Sequence, residues 1–128
     1  MIKKIKLKII KNKKGDILKY LNKHILHPKK FGEIYFNQIK KNQKKGWIFH
    51  KKYFCYITVP VGKIQFTYKK NFKSKGKSFV LSSEKYFLLR ISPKIWFSFK
   101  GIKKSSLLVN TITGIHNDKE VLKNNISI

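Results

Sequence analysis

The fold class follows from one stretch of the sequence, Phe54-Cys55-Tyr56-Ile57-Thr58-Val59-Pro60-Val61-Gly62-Lys63-Ile64-Gln65-Phe66-Thr67-Tyr68. Its first part is rich in the aromatic and β-branched residues that are typical of strands. Pro60-Val61-Gly62 ends this run, because proline and glycine favour turns. From Lys63 onward, apolar and polar residues alternate with the period of a half-buried strand. The stretch therefore predicts two strands separated by a turn.

Further short strands are predicted on both sides of this stretch. They are separated by turn residues, and they cover residues 5–9, 31–36, 47–50, 79–81, 87–91, 95–99 and 107–110. Residues 17–21 are compatible with either a strand or a helical turn. Residues 69–78 are expected to form a polar surface loop, and the polar tail after Gly114 is expected to pack loosely. Many short strands at this spacing predict an all-β sandwich or closed barrel.

Length and composition indicate one domain that spans residues 1–128. The chain has 41% apolar residues, including ten Phe and six Tyr, which is enough to fill one core. No apolar run is long enough for a membrane span, and the N-terminus lacks the apolar stretch of a signal peptide. The lone Cys55 forms no internal disulfide, which fits a reducing compartment. We therefore expect a cytoplasmic protein that does not bind membranes.

The formal net charge of +26 raises the possibility of nucleic-acid binding. Only Arg90 among the 31 basic residues is arginine, and the lysines are spread along the whole chain. Dedicated nucleic-acid readers usually rely on arginine forks, and no helix-turn-helix, zinc-finger or RNA-recognition pattern is present. Because Lys, Ile and Asn are abundant together, the charge is better explained by an AT-rich genome. Nucleic acid is not the expected partner, although the charge would attract an anionic ligand such as a nucleotide diphosphate.

Candidate catalytic residues are few in this sequence. There are only five acidic residues, which are Asp16, Glu33, Glu84, Asp118 and Glu120. Nothing in the sequence pairs two of them, and no Gly-x-Ser-x-Gly motif supports a serine hydrolase. His50 is the most promising of the four histidines, because it follows Trp47 in a strand that points alternate residues into the barrel. His24 and His27 are expected in an exposed loop, and His116 is expected to be structural.

Several short motifs, taken in order, resemble the dTDP-4-dehydrorhamnose 3,5-epimerase family. The resemblance covers residues 14–122, and its motifs are Phe31-Gly32-Glu33-Ile34-Tyr35-Phe36, Lys45-Gly46-Trp47-x-x-His50-Lys51, Val59-Pro60-Val61-Gly62-Lys63-Ile64, Leu81-Ser82 before Tyr86, Pro93-x-x-Trp96-Phe97-x-Phe99-x-Gly101, Ser106-Leu107-Leu108-Val109-Asn110 and His116-Asn117-Asp118-x-Glu120. The resemblance implies a cupin-type jelly roll, that is, a double-stranded β-helix, usually as a homodimer. It also implies action on a nucleotide-linked 4-keto sugar, in dTDP-rhamnose or cell-surface polysaccharide biosynthesis.

The same resemblance identifies where the catalytic groups of the family would lie. Its base histidine falls at Ile48, its tyrosine acid at Asn110, and a supporting histidine at Phe97. Its keto-binding lysine falls near Cys55 or Tyr56. Lys45 keeps the basic residue that precedes the glycine in the family. The fold is therefore expected to follow the family, whereas the base and the acid have been replaced.

A metal-binding cupin is the alternative that these positions also test. Such a site needs His-x-His, a nearby glutamate and a late-strand histidine. This sequence offers Ile48-x-His50, Cys55 and Phe97 at those places. We therefore expect neither a bound metal nor a cofactor.

The sequence thus predicts an isomerase that epimerises a nucleotide-linked 4-keto deoxysugar by removing and returning a proton beside the keto group. His50 is the predicted catalytic residue. The predicted substrate-binding residues are Glu33, Tyr35, Lys45, Trp47, Lys52 and Asn110. The alternative is a non-catalytic nucleotide-sugar-binding cupin, since Ile48 and Asn110 replace the usual base and acid.

Overall fold

The chain folds into two facing antiparallel sheets in the structure, a computed structural model that describes residues 1–124. Its strands are β1 (Ile2–Lys6), β2 (Ile9–Ile10), β3 (Ile17–Leu18), β4 (Glu33–Lys40), β5 (Lys44–His50), β6 (Cys55–Val61), β7 (Lys63–Lys69), β8 (Lys77–Ser82), β9 (Phe87–Ile91), β10 (Trp96–Gly101), β11 (Ser105–Ile112) and β12 (Val121–Lys123). The first sheet has the order β1-β9-β6-β11-β4, and the second has the order β12-β5-β10-β7-β8. Strands β2 and β3 form a small separate ribbon. The all-β prediction is confirmed.

The two strands that residues 54–68 form, β6 and β7, lie in different sheets. Gly62 sits between β6 and β7 with a φ of +88°, a backbone conformation that side chains disfavour. An added Cβ there would lie 2.4 Å from the Ser106 side-chain oxygen. Gly62 is therefore the corner at which the chain passes from the first sheet to the second.

The main core fills the space between the two sheets. Both sheets contribute fully buried side chains, namely Ile57, Leu89 and Leu108 from the first and Phe66, Phe97 and Phe99 from the second. The three phenylalanine rings contact one another with centroid separations of 5.6–5.9 Å. This packing follows from the alternation along β7 and β10, which places every second residue on the inner face.

A smaller apolar cluster covers the outer face of the first sheet. Tyr56 and Leu88 are completely buried there beneath Leu7 and other residues of the N-terminal segment. The Tyr20 hydroxyl donates a hydrogen bond to the Tyr56 carbonyl at 2.6 Å. This cover buries both faces of β6 over most of its length.

In the described part of the tail after Gly114, residues 121–123 form a strand rather than a loose segment, and residues 125–128 lie outside the described residues. Strand β12 pairs with β5, with Val121 opposite His50, and both Glu120 and Val121 are buried. For residues 120–123 the prediction of a loosely packed tail is therefore wrong, because β5 would otherwise leave its outer edge unpaired. No helix within residues 1–124 is long and apolar enough to cross a membrane.

Candidate active site

A pocket of about 280 Å³ lies between the two sheets. The second sheet lines it mainly with Ile48, His50, Phe97, Phe99 and Lys123. The first sheet and the loop that follows β11 line it mainly with Tyr35, Asn37, Asn110, Ile112 and His116. A few polar side chains among mainly apolar ones are the usual lining of a small-molecule site.

A β-bulge in β5 sets the direction of the side chains in this pocket. The pairing of β5 with β10 shifts register between Phe97 and Ser98, opposite Gly46. Gly46 has a φ of +107°, and an added Cβ would lie 2.8 Å from the Phe97 carbonyl oxygen. Beyond the bulge, Ile48 pairs with Phe97, and His50 lies on the same inward face as Ile48, as the sequence predicts.

His50 forms a buried pair with Glu120. The distance from His50 Nδ1 to Glu120 Oε1 is 2.7 Å, and the two side chains are 10% and 6% exposed. The imidazole also stacks on Phe97, with centroids 6.3 Å apart, and packs against Tyr53 at 6.0 Å. These contacts fix both the position and the orientation of the ring.

Hydrogen bonds to Glu120 determine which nitrogen of His50 is free. Burial raises the pKa of Glu120, but the backbone N–H of Lys52, the His50 ring and the backbone N–H of Tyr53 together lower it below its ordinary value. The carboxylate is therefore an acceptor, and His50 Nδ1 carries the hydrogen atom. His50 Nε2, which has no hydrogen-bond partner among residues 1–124, is left as the nitrogen that can accept a proton.

Tyr35 and Glu33 form the opposite side of the site. The Tyr35 hydroxyl donates to Glu33 Oε1 at 3.0 Å, and the same oxygen accepts the backbone N–H of His116 at 2.8 Å. The N–H of His116 and the Tyr35 hydroxyl lower the pKa of Glu33. Burial and then the Glu33 carboxylate raise the pKa of Tyr35 to about 12, so the phenol stays protonated. Tyr35 lines the pocket, and Glu33 holds Tyr35 and His116 through these two hydrogen bonds.

Asn110 is half-buried and lines the pocket, and its side-chain oxygen is buried and unsatisfied. Its Oδ1 has no hydrogen-bond partner in the described chain. Asn110 pairs across the strands with Tyr35, so the two side chains share the inward face. Buried polar atoms are normally satisfied, and a hydroxyl of a bound ligand would supply the missing donor.

Lys45 lies in an adjoining cavity rather than in the pocket of His50. That cavity measures about 710 Å³ and shares Phe36 and Asn37 with the smaller pocket. The Lys45 ammonium donates to Asn37 Oδ1 at 2.6 Å and to the Gln38 carbonyl at 2.8 Å. Lys40 and Lys44 also line this cavity, so it carries positive charge next to the pocket.

Trp47 and Lys52 are not among the residues that line this pocket. Trp47 is on the outer face of the second sheet, where Lys69 and Lys44 place their ammonium groups 4.6 and 4.9 Å from its ring centroid. Lys52 is exposed, and it contributes to the site through its backbone N–H, which donates a hydrogen bond to Glu120. Trp47 points outward because it lies one residue before Ile48 in the strand.

Three functional candidates were missed by the sequence reasoning, namely Glu120, His116 and Lys123. Glu120 lies 70 residues from His50 in the chain, and only the pairing of β12 with β5 brings them together. Lys123 lines the pocket from β12. The sequence did contain a signal for Glu120, because a chain with only five acidic side chains offers few carboxylate partners for a buried histidine.

The donor set in the described chain does not suit a metal ion. Residues 1–124 contain no group of three or more His, Cys, Asp and Glu side chains that could hold one. Cys55 is fully buried, and burial raises the pKa of its thiol against a smaller opposing effect of the Asn110 side chain. It is therefore a neutral thiol, whereas a metal ligand would be a thiolate.

Two glycines let the strand that carries Glu33 approach the loop that carries His116. A Cβ on Gly32 would lie 2.1 Å from the carbonyl carbon of Gly114, and one on Gly114 would lie 2.2 Å from the Tyr53 ring. The Gly32 N–H also donates to the Ile112 carbonyl at 3.0 Å. This close contact brings Glu33 within reach of the His116 backbone.

Substituting Gly32 by alanine should therefore destabilise the fold by about 2 kcal/mol, because backbone atoms must move to admit the methyl group. Urea unfolding monitored by circular dichroism would measure the change. Gly76→Ala is the matched control, since its methyl group would meet the Thr67 side chain at 3.0 Å and the Tyr68 carbonyl oxygen at 3.2 Å. Equal stability of the two variants would contradict the proposed contact.

Comparison with known proteins gives a match in structure only. No protein-family model and no curated protein matches the sequence. A dTDP sugar isomerase from Desulfovibrio desulfuricans G20 is 26% identical over 96% of this chain and 83% of its own, with a TM-score of 0.87. A variant of the 3,4-ketoisomerase QdtA from Thermoanaerobacterium thermosaccharolyticum, in complex with TDP-4-keto-6-deoxyglucose, is 19% identical over 96% and 87%, with a TM-score of 0.82.

A third match is the dTDP-6-deoxy-D-glucose-3,5-epimerase RmlC from Legionella pneumophila Philadelphia 1, in complex with dTDP-4-keto-L-rhamnose. It is 13% identical over 95% of this chain and 71% of its own, with a TM-score of 0.82. The structural neighbours of this chain are thus dTDP-sugar isomerases and 3,5-epimerases, as the sequence resemblance predicts. The predicted cupin-type jelly roll is confirmed.

Proposed function

We propose that this protein is an isomerase that epimerises a nucleotide-linked 4-keto deoxysugar beside the keto group. The observation that carries the proposal is the buried His50–Glu120 pair, because His50 lines the pocket and its Nε2 has no hydrogen-bond partner among residues 1–124. A histidine oriented by a carboxylate is the usual form of a general base. The similarity to structures of dTDP-sugar isomerases and epimerases supports the choice of substrate class.

His50 takes over the role that a histidine at position 48 would have. Ile48 and His50 lie one pleat apart on the same inward face of β5. His50 Nε2 accepts the proton from the carbon beside the keto group, and Glu120 stabilises the imidazolium that forms. Ile48 and Phe97 then serve as apolar walls that exclude water.

The enolate that forms needs a positive charge or a hydrogen-bond donor near its oxygen. No lysine is present at Cys55 or Tyr56, where the resemblance places it. Lys123 lines the pocket from β12 and supplies this charge instead. Asn110 accepts a sugar hydroxyl through its unsatisfied Oδ1.

The adjoining cavity that Lys45 lines is suited to the nucleotide diphosphate. Lys40, Lys44 and Lys45 line it, and it meets the sugar pocket at Phe36 and Asn37. Lysine is a common phosphate-binding residue. The sugar would thus occupy the smaller pocket, with the diphosphate directed toward Lys45.

The proposal is tested by incubating the protein with dTDP-4-keto-6-deoxyglucose in D2O and recording proton NMR spectra. We expect deuterium at the carbons beside the keto group, since proton removal there is followed by return from solvent-derived groups. No incorporation, together with no affinity for this nucleotide sugar in a calorimetric titration, would overturn the proposal for this substrate.

Affinity without incorporation would favour the second candidate, a non-catalytic nucleotide-sugar-binding cupin. The observation behind it is that Ile48 and Asn110 stand at the positions of the family's base and acid, and neither side chain titrates. The same pair of experiments therefore separates the two functions.

The setting we propose is the cytoplasm, in cell-surface polysaccharide biosynthesis, with the protein acting as a homodimer. Exposed apolar residues on β4, at the edge of the first sheet, support self-association, since Phe36 is 72% and Ile34 is 45% exposed. The proposal includes no nucleic-acid partner, because the lysines are spread along the chain rather than clustered in a nucleic-acid-binding motif.

A further inference from the structure

A second histidine–carboxylate pair faces the pocket of His50. His116 lies in the loop between β11 and β12, and this residue lines the same pocket. The distance from His116 Nε2 to Asp118 Oδ1 is 3.0 Å. The backbone of His116 is fixed by its N–H···Glu33 hydrogen bond. Its imidazole is therefore positioned from two sides.

The two pairs differ in which nitrogen is free and in their access to water. Asp118 accepts the hydrogen bond from His116 Nε2, so Nδ1 is the nitrogen without a partner in residues 1–124. In His50 the free nitrogen is Nε2. The His116 side chain is 43% exposed, whereas that of His50 is 10% exposed. His116 can thus exchange protons with water far more readily than His50.

The two imidazoles also approach from different walls. His50 projects from β5 of the second sheet, whereas His116 is tied through Glu33 to β4 of the first sheet. Inversion at a carbon requires a proton to leave on one face and to return on the other. Two separate acid–base groups on opposing walls satisfy that requirement for a sugar that keeps its orientation in the pocket.

We propose that the His116–Asp118 pair is the acid that returns the proton during epimerisation, opposite the His50–Glu120 base. This inference rests on the function proposed above. In the first step the C–H bond beside the keto group breaks, its electron pair forms the enolate, and the proton moves to His50 Nε2. In the second step the enolate carbon takes the proton from Nδ1 of the His116 imidazolium, and the ketone re-forms. His50 then releases its proton to water, and His116 regains one from water.

The test compares deuterium incorporation with inversion in His116→Gln, using dTDP-4-keto-6-deoxyglucose in D2O. We expect inversion, measured from proton coupling constants, to fall about 10²-fold or more in this variant. Incorporation without inversion should continue, because His50 can still remove a proton and return a deuteron on one face. A purely structural role for His116 would lower both rates together, so the ratio of the two rates is the decisive readout.

His24→Gln is the matched control, because His24 is an exposed histidine that does not line this pocket. Melting temperatures of both variants check that the fold is intact. Inversion at the wild-type rate in His116→Gln would overturn the inference, and so would equal losses of inversion and incorporation. If the wild-type protein shows neither incorporation nor inversion, the proposed function itself fails.

Discussion

The variant His50→Gln is expected to lower kcat/KM for epimerisation of dTDP-4-keto-6-deoxyglucose by about 10²- to 10⁴-fold. The glutamine amide can still donate to Glu120, so the fold should be retained. It cannot accept a proton at the position of Nε2, so both inversion and deuterium incorporation should be lost. Steady-state kinetics, with deuterium incorporation followed by NMR, would measure the effect.

The expected result distinguishes a base from a binding residue. Calorimetric affinity for dTDP-4-keto-6-deoxyglucose should change little in His50→Gln, since the proposed nucleotide contacts lie in the Lys45 cavity. His24→Gln again serves as the control and should behave like the wild-type protein. A kcat/KM within threefold of wild type would remove His50 from the mechanism.

The variant Glu120→Ala is expected to lose about 3 kcal/mol of unfolding free energy. Glu120 is the acceptor for His50 Nδ1 and for the backbone N–H groups of Lys52 and Tyr53. Removing the carboxylate leaves one buried and two partly buried donors without their partner. Urea unfolding at neutral pH would measure the loss. Glu84→Ala is the control, because Glu84 pairs with Lys103 on the surface and should change stability by about 0.5 kcal/mol or less.

The pH dependence of stability provides a second readout for Glu120. Because its pKa in the folded protein lies below the ordinary value of 4.5, the carboxylate stabilises the fold above that value. This contribution is lost as the pH falls from 4.5 through the lowered pKa. Wild-type stability should therefore fall more steeply with acid than that of Glu120→Gln. Parallel curves for the two proteins would show that Glu120 is not held as a carboxylate.

Local patterns in the sequence were sufficient to predict the strands and the all-β class. Alternation in β7 and the apolar run in β6 each identify a strand from a few neighbouring residues. The same logic correctly placed Ile48 and His50 on one inward face, because side chains in a strand alternate. The ordered motifs then pointed to the cupin jelly roll that the structural neighbours confirm.

The candidate site was only partly predictable, because it depends on long-range pairing. The tail after Gly114 is polar, and nothing local shows that it returns to pair with β5 and bury Glu120. His116 was expected to be structural, and nothing local in the sequence shows that its loop borders the pocket of His50. Trp47 was predicted to bind substrate, but the register of β5 directs it to the outer face.

The most direct test of the account is a crystal structure of His50→Gln in complex with dTDP-4-keto-6-deoxyglucose. The account predicts that the keto sugar occupies the pocket between the sheets, with the diphosphate toward Lys45. A carbon beside the keto group should then lie about 3.5 Å from the side chain at position 50. A sugar bound outside this pocket, or bound with those carbons turned away from position 50, would contradict it.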